Sequence, residues 1–197
     1  MVRFLAILSI AFLTASPLAW AEDRPQQDEA VASAGQAGTS RLDKLFMDLK
    51  RERNEQAARR IALRIDETWT NAAGDTAALL MGWANDAVKA EKFSVALDFL
   101  DQLVLLYPDY AEGWNRRATV HFMRKDYARS MADISRVLEL EPRHFGALAG
   151  MARIFQDTNR NEQALAVYEQ ILDVYPMLRS AQKAMSEISD KLDGRGI

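Results

Sequence analysis

Cysteine is absent from the 197 residues of this chain. Without it the protein forms no disulfide, uses no thiol nucleophile and holds no zinc ion through thiolates. A lipoprotein is excluded as well, since the residue that receives the lipid after signal cleavage is a cysteine. No covalent cross-link of this kind therefore holds the fold together.

Histidine is nearly as rare. His121 and His144 are the only two, and neither has an acidic partner at the spacing of a metal site, so we predict no metal. Residues 35–40 faintly resemble a phosphate-binding loop but lack its lysine and its preceding strand. No Gly-x-Ser-x-Gly nucleophile turn occurs either. We therefore predict no cofactor and no catalytic residue.

Long apolar runs are confined to the N-terminus. Residues 4–13 are almost entirely apolar, Arg3 precedes them, and Ala19 and Ala21 occupy the positions that a signal peptidase recognises. We interpret residues 1–21 as a cleaved secretory signal peptide. An uncleaved anchor is the alternative, although the uncharged stretch is near the lower limit of about 17 residues for a spanning helix and contains a proline.

The rest of the chain contains no segment apolar enough to span a membrane. An exported chain of this kind is predicted to be a soluble periplasmic protein, without stable membrane insertion after signal cleavage.

An excess of positive charge is also missing, because 28 acidic residues outnumber 25 basic ones. Removing the signal makes the net charge of -3 one unit more negative, since it takes away only Arg3. This balance argues against nucleic acid, which selects strongly basic faces.

Residues 22–40 are poor in large apolar side chains and are predicted to be a disordered leader. Residues 41–76 follow as two helices, the first capped by Ser40. We interpret this pair as a diverged repeat or an N-terminal cap. The apolar stripes of the two helices are Leu42, Leu45, Phe46 and Leu49, and then Ala58, Ile61, Ala62, Ile65 and Trp69.

Prolines are few, but three of the five are regularly spaced. Pro108, Pro142 and Pro176 lie 34 residues apart, and each follows an apolar run. This period is the length of a two-helix repeat. With each proline counted as the 32nd residue, the three repeats are residues 77–110, 111–144 and 145–178.

The three repeats agree at the positions that a helix pair would bury. Small residues at the eighth and twentieth positions allow the two helices of each repeat to cross closely. Bulky residues follow at intervals of three and four, as a buried helical stripe requires. In repeat order the columns are Ala84, Ala118 and Ala152; Ala96, Ser130 and Ala164; Leu97, Met131 and Leu165; Leu100, Ile134 and Tyr168; Leu103, Val137 and Ile171.

This pattern resembles the tetratricopeptide repeat, which has a large residue at the fourth position, small residues at the eighth and twentieth, and proline at the 32nd. Leu80, Trp114 and Leu148 fill the fourth position. The resemblance implies an all-α fold, a right-handed superhelix of antiparallel helix pairs with about nine helices and no strand. Residues 179–193 are then expected to form a C-terminal capping helix, since stacked repeats need a polar-faced end.

The turns inside the repeats depart from the family pattern, which favours glycine there. Glu91 and Lys125 occupy the first two turns, and only Asn159 in the third readily adopts the left-handed conformation. We expect slight strain in the first two turns and no change of fold.

The resemblance also implies where a partner would bind. The first helix of each repeat lines a concave groove, and the second, fifth, ninth, twelfth and thirteenth positions commonly point into it. Phe122 and Met123 would form its apolar centre, although they could equally belong to the core. The groove candidates are Met81, Asn85, Val88, Lys89, Glu112, Asn115, Thr119, Phe122, Met123, Ala149, Arg153, Gln156 and Asp157.

Some members of the family bind the terminal carboxylate of a peptide through two lysines, two asparagines and an arginine. The corresponding positions here are Met81, Asn85, Arg116, Gly146 and Gly150, of which only Asn85 matches. We therefore predict that this carboxylate clamp is missing and that the ligand is a different one.

The middle repeat is unusual because Arg117 occupies a seventh position that is usually apolar. A buried arginine must find an anion, since an unpaired one costs several kcal/mol. We predict that Arg117 pairs with Asp133, with His121 or Ser130 completing the hydrogen bonds, in a structural role.

Three hypotheses for function follow. The first is a non-enzymatic scaffold of the cell envelope that binds a peptide or helix of another protein in the groove. The second is an enzyme or enzyme subunit that uses Arg117, His121 and Asp133 for acid-base chemistry, which would require an accessible His121. The third is a structural protein that self-associates through an uncapped face, so a homo-oligomer is possible.

Overall fold

The computed structural model describes residues 41–194, and the predicted signal peptide and leader lie outside this range. Nine helices and no strand occur within it, which confirms an all-α fold. The helices are α1 over residues 41–51, α2 Glu55–Thr70, α3 Gly74–Lys89, α4 Phe93–Leu106, α5 Ala111–Met123, α6 Tyr127–Leu140, α7 Phe145–Asp157, α8 Asn161–Val174 and α9 Arg179–Asp193.

Helices α3 to α8 pack as three consecutive pairs, α3 with α4, α5 with α6, and α7 with α8. α5 and α7 begin at the first residues of the second and third predicted repeats. The small columns are buried as predicted, since Ala84, Ala118 and Ala152 are at most 3% exposed. Ser130 lies so close to the opposite helix that its hydroxyl donates to the carbonyl of Ala118 at 2.8 Å. This is the solenoid that the 34-residue period predicts.

The turns inside the three repeats all contain a residue in the left-handed region. Glu91, Lys125 and Asn159 have φ values of 57°, 59° and 57°. In each turn the next N–H bonds back to a helix carbonyl, for example that of Asp126 to His121 at 2.9 Å. Glutamate and lysine adopt this conformation at a cost of about 1–2 kcal/mol.

The N-terminal pair α1–α2 packs against the loops between the repeats. Its core cluster combines Leu49, Ile65 and Trp69 with Tyr175 and with residues of α7 and the α8–α9 loop. Salt bridges reinforce this position, from Arg143 to Asp43 at 2.7 Å and from Arg179 to Glu55 at 3.1 Å. Among the described residues, the core cluster of the first repeat takes its members from α3, α4, α5 and neighbouring loops and includes none from α1 or α2.

Helix α9 follows the third repeat and packs on its core. Ala181 and Ile188 are at most 2% exposed and belong to the same cluster as Leu148 and Ile171. The other side of the helix is polar, with Lys183 and Glu187 in a salt bridge at 3.7 Å. One end of the array therefore presents a hydrophilic surface.

Candidate functional site

A pocket lies between α5 and α7, where the sequence predicts the centre of the groove. It has a volume of about 160 Å³ and is formed by residues of α5, α6 and α7. Its walls are mainly apolar, and its polar groups come from a few side chains. The lining residues are Asn115, Ala118, Thr119, Phe122, Ser130, Ile134, Gly146, Ala147, Gly150 and Arg153.

Two glycines lie in the wall of this pocket. A Cβ on Gly150 would lie 3.3 Å from Cδ1 of Ile134, and one on Gly146 would lie 3.3 Å from Cε1 of His144. Both glycines belong to α7 and line the pocket, so a side chain at either position would crowd its neighbours at the wall. These are also two of the positions at which the carboxylate clamp of the family would have a charged side chain. The two glycines that leave the clamp incomplete are therefore also part of the pocket wall.

The polar groups of the pocket are only partly used by the protein itself. Asn115 donates its amide to Glu112 at 3.1 Å, and the Thr119 hydroxyl donates to the carbonyl of Asn115 at 2.9 Å. Arg153 donates through Nε to Asp157 at 3.1 Å, while its side chain remains 64% exposed. Within the described residues, the Asn115 amide oxygen and the outer nitrogens of Arg153 remain available to a ligand.

Phe122 and Met123, the apolar pair at the predicted groove centre, lie in different environments. Phe122 is half-buried, lines the pocket and packs on Tyr127 with the ring centroids 5.7 Å apart. Met123 is 47% exposed at the end of α5. Phe122 thus contributes both to packing and to the open face, and Met123 lies on the surface.

The other groove candidates lie outside the pocket. Met81 is only 8% exposed and belongs to the core of the first repeat. Lys89 is exposed and paired with Asp86 at 2.9 Å, and Gln156 accepts a hydrogen bond from the Tyr168 hydroxyl at 2.9 Å. Asn85 and Val88 are half-buried on α3, and Ala149 is half-buried against the third-repeat core. The pocket therefore unites Asn115, Thr119, Phe122 and Arg153, and the first repeat contributes nothing to it.

Arg117 and Asp133 form a bidentate pair, as the sequence predicts. Nε of Arg117 donates to Oδ2 of Asp133 at 2.9 Å, and Nη2 donates to Oδ1 at 2.7 Å. The guanidinium also lies over the Trp114 ring, 4.7 Å from its centroid. Hydrogen bonds to Asp133, opposed by burial, raise the pKa of Arg117 further above its usual value. The pair joins α5 to α6 with both carboxylate oxygens in use.

The prediction of how this cluster is completed is wrong. Ser130 donates to the carbonyl of Ala118, and Nε2 of His121 lies 3.9 Å from Asp133, too far for a hydrogen bond. The third partner is Asp101 of α4, which accepts from Nη1 of Arg117 at 2.8 Å. Arg117 reaches a carboxylate in the preceding repeat because its side chain extends across the junction between the repeats.

His121 is packed, being 7% exposed, and its Nδ1 has no hydrogen-bond partner among the described residues. Burial lowers the pKa of the ring, with Arg117 and Arg129 acting in the same direction, although Asp133 and Asp126 oppose the shift. The ring is therefore neutral near pH 7. It lies outside the set of residues that line the pocket.

A second buried polar contact, which the sequence reasoning missed, connects the N-terminal pair to the array. Nδ1 of His144 accepts the N–H of Ala147 at 3.1 Å, which leaves Nε2 to donate a hydrogen bond to Glu112 at 2.9 Å. Trp69 of α2 stacks on the His144 ring at 4.2 Å. Burial alone would raise the pKa of Glu112, but the hydrogen bond from His144, aided by Asn115 and Arg116, lowers it.

Glu112 also affects Asp66 of α2. Burial and the negative charge of Glu112 raise the pKa of Asp66 to about 6. Asp66 lines a second pocket, of about 330 Å³, at the contact of α2 with Phe145, Tyr175 and the start of α9. The stacking of Trp69 on His144 marks this region, but it joins distant parts of the chain, so no local sequence pattern indicates it.

Comparison with known proteins places these features in a family. Two family models described as tetratricopeptide repeat match residues 81–144 and 121–188. A TPR repeat-containing protein of Rhizobium etli is 42% identical over 192 residues, which cover 96% of this chain and 93% of that protein.

Solved structures share the fold at lower identity. The first TPR of Spaghetti (RPAP3) bound to the HSP90 peptide SRMEEVD is 22% identical with a TM-score of 0.56, over 59% of this chain and 93% of that one. The Sgt2 TPR domain from Aspergillus fumigatus is 15% identical with a TM-score of 0.56, over 61% of this chain and 82% of that one. From these matches and the 34-residue register, the chain belongs to the tetratricopeptide-repeat family.

Proposed function

We propose that this protein is a non-enzymatic interaction protein that binds a segment of another protein at the pocket between α5 and α7. The observation that supports the proposal is the pocket itself, with an apolar interior and polar groups from Asn115, Thr119 and Arg153. A volume of about 160 Å³ suits one leucine-sized or aromatic side chain, since cavities of about 150 Å³ accept benzene. The polar groups can then bond the adjoining peptide backbone.

The chemistry of the pocket favours an apolar anchor over a terminal carboxylate. The Spaghetti (RPAP3) domain is described in complex with an HSP90 peptide, which supports peptide binding by this fold. This chain has Gly146 and Gly150 at two of the clamp positions, and Met81 at a third is buried. A ligand that inserts a side chain between α5 and α7 uses the space that those glycines leave.

We further propose that the protein acts in the cell envelope after export. The support is the sequence of residues 1–21, with its short basic start, apolar run and small residues before Glu22. In the described part of the chain, no helix combines the length and the apolar character needed to cross a bilayer. The packed state of His121 and the full use of both Asp133 oxygens favour binding over acid-base catalysis at that cluster.

The experiment is photo-crosslinking in cells with a probe at Met123, which is exposed beside the pocket. Gly150→Leu should place a side chain at the pocket wall and weaken capture of the partner, whereas Gly82→Leu should not, because a Cβ on Gly82 has nothing within 4 Å. Both changes replace a helical glycine by leucine, so both improve helix propensity. Loss of one buried apolar anchor of about 1.5–3 kcal/mol predicts roughly 10- to 150-fold weaker binding of the captured segment.

A probe at Lys191 on α9 provides the background pattern. If the Met123 probe captures the same proteins as the Lys191 probe, the pocket is not the binding site. The same conclusion follows if Gly150→Leu and Gly82→Leu leave equal capture at Met123.

A further inference from the structure

The outer side of the first repeat presents an apolar surface that no other described element covers. Leu79 and Trp83 of α3 are 52% and 46% exposed, and Val95 and Leu106 of α4 are 40% and 61% exposed. Phe99 lies among them, with its ring centroid 5.5 Å from that of Trp83. These residues recur at helical spacing along both helices and form a stripe that is mainly apolar, which we call the end face.

The later repeats show what such a face normally contacts. Trp83 and Phe99 occupy the seventh and 23rd positions of the first repeat, which correspond to Arg117 and Asp133 in the second. Arg117 contacts Asp101 of the preceding repeat at 2.8 Å. In the third repeat the same positions are Met151, which packs on a cluster containing Val137 of the preceding repeat, and Val167, which is buried. Trp83 therefore occupies a position that contacts the preceding helix pair in both later repeats.

Neither end of the described chain fills this position. The helix pair α1–α2 is held against the inter-repeat loops by the stacking of Trp69 on His144 and by the salt bridge of Arg143 with Asp43. The other end of the array is the polar outer side of α9, with Lys183 and Glu187. Head-to-tail stacking of two molecules would bring an apolar face against a charged one, which is unfavourable.

We propose that the end face binds the end face of a second copy of this chain, forming a two-fold symmetric dimer with four helices at the contact. An isologous contact matches apolar surface with identical apolar surface. The charges beside it are of both signs, since Asp86 is paired with Lys89 and Lys92 precedes α4. Two copies therefore approach without a large like-charge barrier. This proposal is independent of the pocket between α5 and α7.

The size of the end face sets the expected affinity. Helices of 16 and 14 residues are about 21–24 Å long, and two of them side by side are about 20 Å wide. Two such faces cover roughly 800–900 Å² before side-chain roughness is included, near the lower limit of about 1,000 Å² for specific interfaces. We therefore expect a dimer that dissociates on dilution, with a dissociation constant of roughly 1–100 µM.

The proposal can be tested by sedimentation equilibrium, which measures the mass of the protein purified from the cells that produce it. The weight-average mass should rise about twofold, from monomer to dimer, across this concentration range. Trp83→Glu should keep the mass at the monomer value throughout. Leu105→Glu is the matched control, because Leu105 is 80% exposed on α4 but lies off the stripe, and it should associate like the wild type. Circular dichroism establishes that both variants remain helical, and Val95→Glu replaces Trp83→Glu if the latter does not fold.

Three results would overturn the proposal. A monomer mass at every concentration would leave the end face to a different protein. A mass that grows beyond the dimer would indicate an open-ended contact between unlike surfaces. Equal association of wild type and Trp83→Glu would place the contact elsewhere in the chain. Phe99→Cys gives a further check, since the chain has no cysteine of its own. Under an added oxidant, an end-face dimer should form a disulfide-linked dimer more readily with Phe99→Cys than with Leu105→Cys.

Discussion

The second and third repeats have the same backbone register but contact their preceding repeats through opposite chemistry. The second uses Arg117, which is paired with Asp133 of the same repeat and also donates to Asp101 across the junction. The third has Met151 and Val167 at the same two positions, both packed among apolar side chains. The small-residue columns are equally buried in both repeats. The packing of the two helices within a repeat thus depends on those columns. The seventh and 23rd positions need only be compatible with the side chains of the preceding repeat.

The two junctions should differ in how they tolerate truncation. A buried ion pair contributes little net stability over an apolar pair, because removing two charges from water offsets their attraction. Deleting one partner is a different matter, since the other charge is left without compensation. Truncating an apolar partner loses only its packing and the transfer free energy of the removed atoms. The ionic junction is therefore the more vulnerable one to a single substitution.

Asp133→Ala tests this difference with the largest expected effect. It leaves Arg117 paired only with Asp101, whose side chain is 63% exposed, so we expect a loss of about 3 kcal/mol in the free energy of unfolding. Val167→Ala at the equivalent position of the third repeat should cost about 1–2 kcal/mol through lost methyl groups. Urea denaturation followed by circular dichroism measures both. Equal losses, or an unchanged midpoint for Asp133→Ala, would show that the ionic junction has no special sensitivity.

Much of this architecture could be predicted because the information is periodic. The proline spacing fixes the register, and the register places Arg117 opposite Asp133, 16 residues away on the paired helix. The requirement that a buried guanidinium finds an anion then predicts the pair. Asp101 escaped prediction because it belongs to another repeat, and its role depends on the angle between successive helix pairs. The aligned residues of the repeats do not encode that angle.

The position of α1–α2 and the two glycines in the pocket wall escaped prediction for two other reasons. The salt bridge between Arg143 and Asp43 joins residues 100 positions apart, and no local pattern encodes such a contact. The pocket depends on Gly146 and Gly150, where the informative feature is a missing side chain. The groove positions of the repeat are defined by side chains that point into the groove. A pattern of side chains does not indicate the space beside two glycines.

The turns inside the second and third repeats extend the comparison, with a smaller expected effect. Lys125 and Asn159 both adopt φ values near 60°, but asparagine tolerates this region better than lysine. Lys125→Gly should therefore stabilise the protein by about 1 kcal/mol, whereas Asn159→Gly should change the free energy of unfolding by only a few tenths. Thermal and urea unfolding of the two single variants check this. If Asn159→Gly stabilises as much as Lys125→Gly, the left-handed turn is not the cause.

The smallest expected effect concerns the eleventh position, where the second repeat has His121 and the third has Phe155. Burial holds the pKa of His121 below its ordinary value of 6.5. Below about pH 6.5 the unfolded chain binds a proton that the folded chain does not, so the free energy of unfolding falls as the pH is lowered through this region. His121→Gln cannot titrate and should lose less stability than the wild type between pH 7.5 and pH 5. Urea denaturation of both proteins across this pH range isolates His121, because the two proteins share all other titrating groups. If their stabilities fall in parallel, the ring is protonated equally in the folded and unfolded chains.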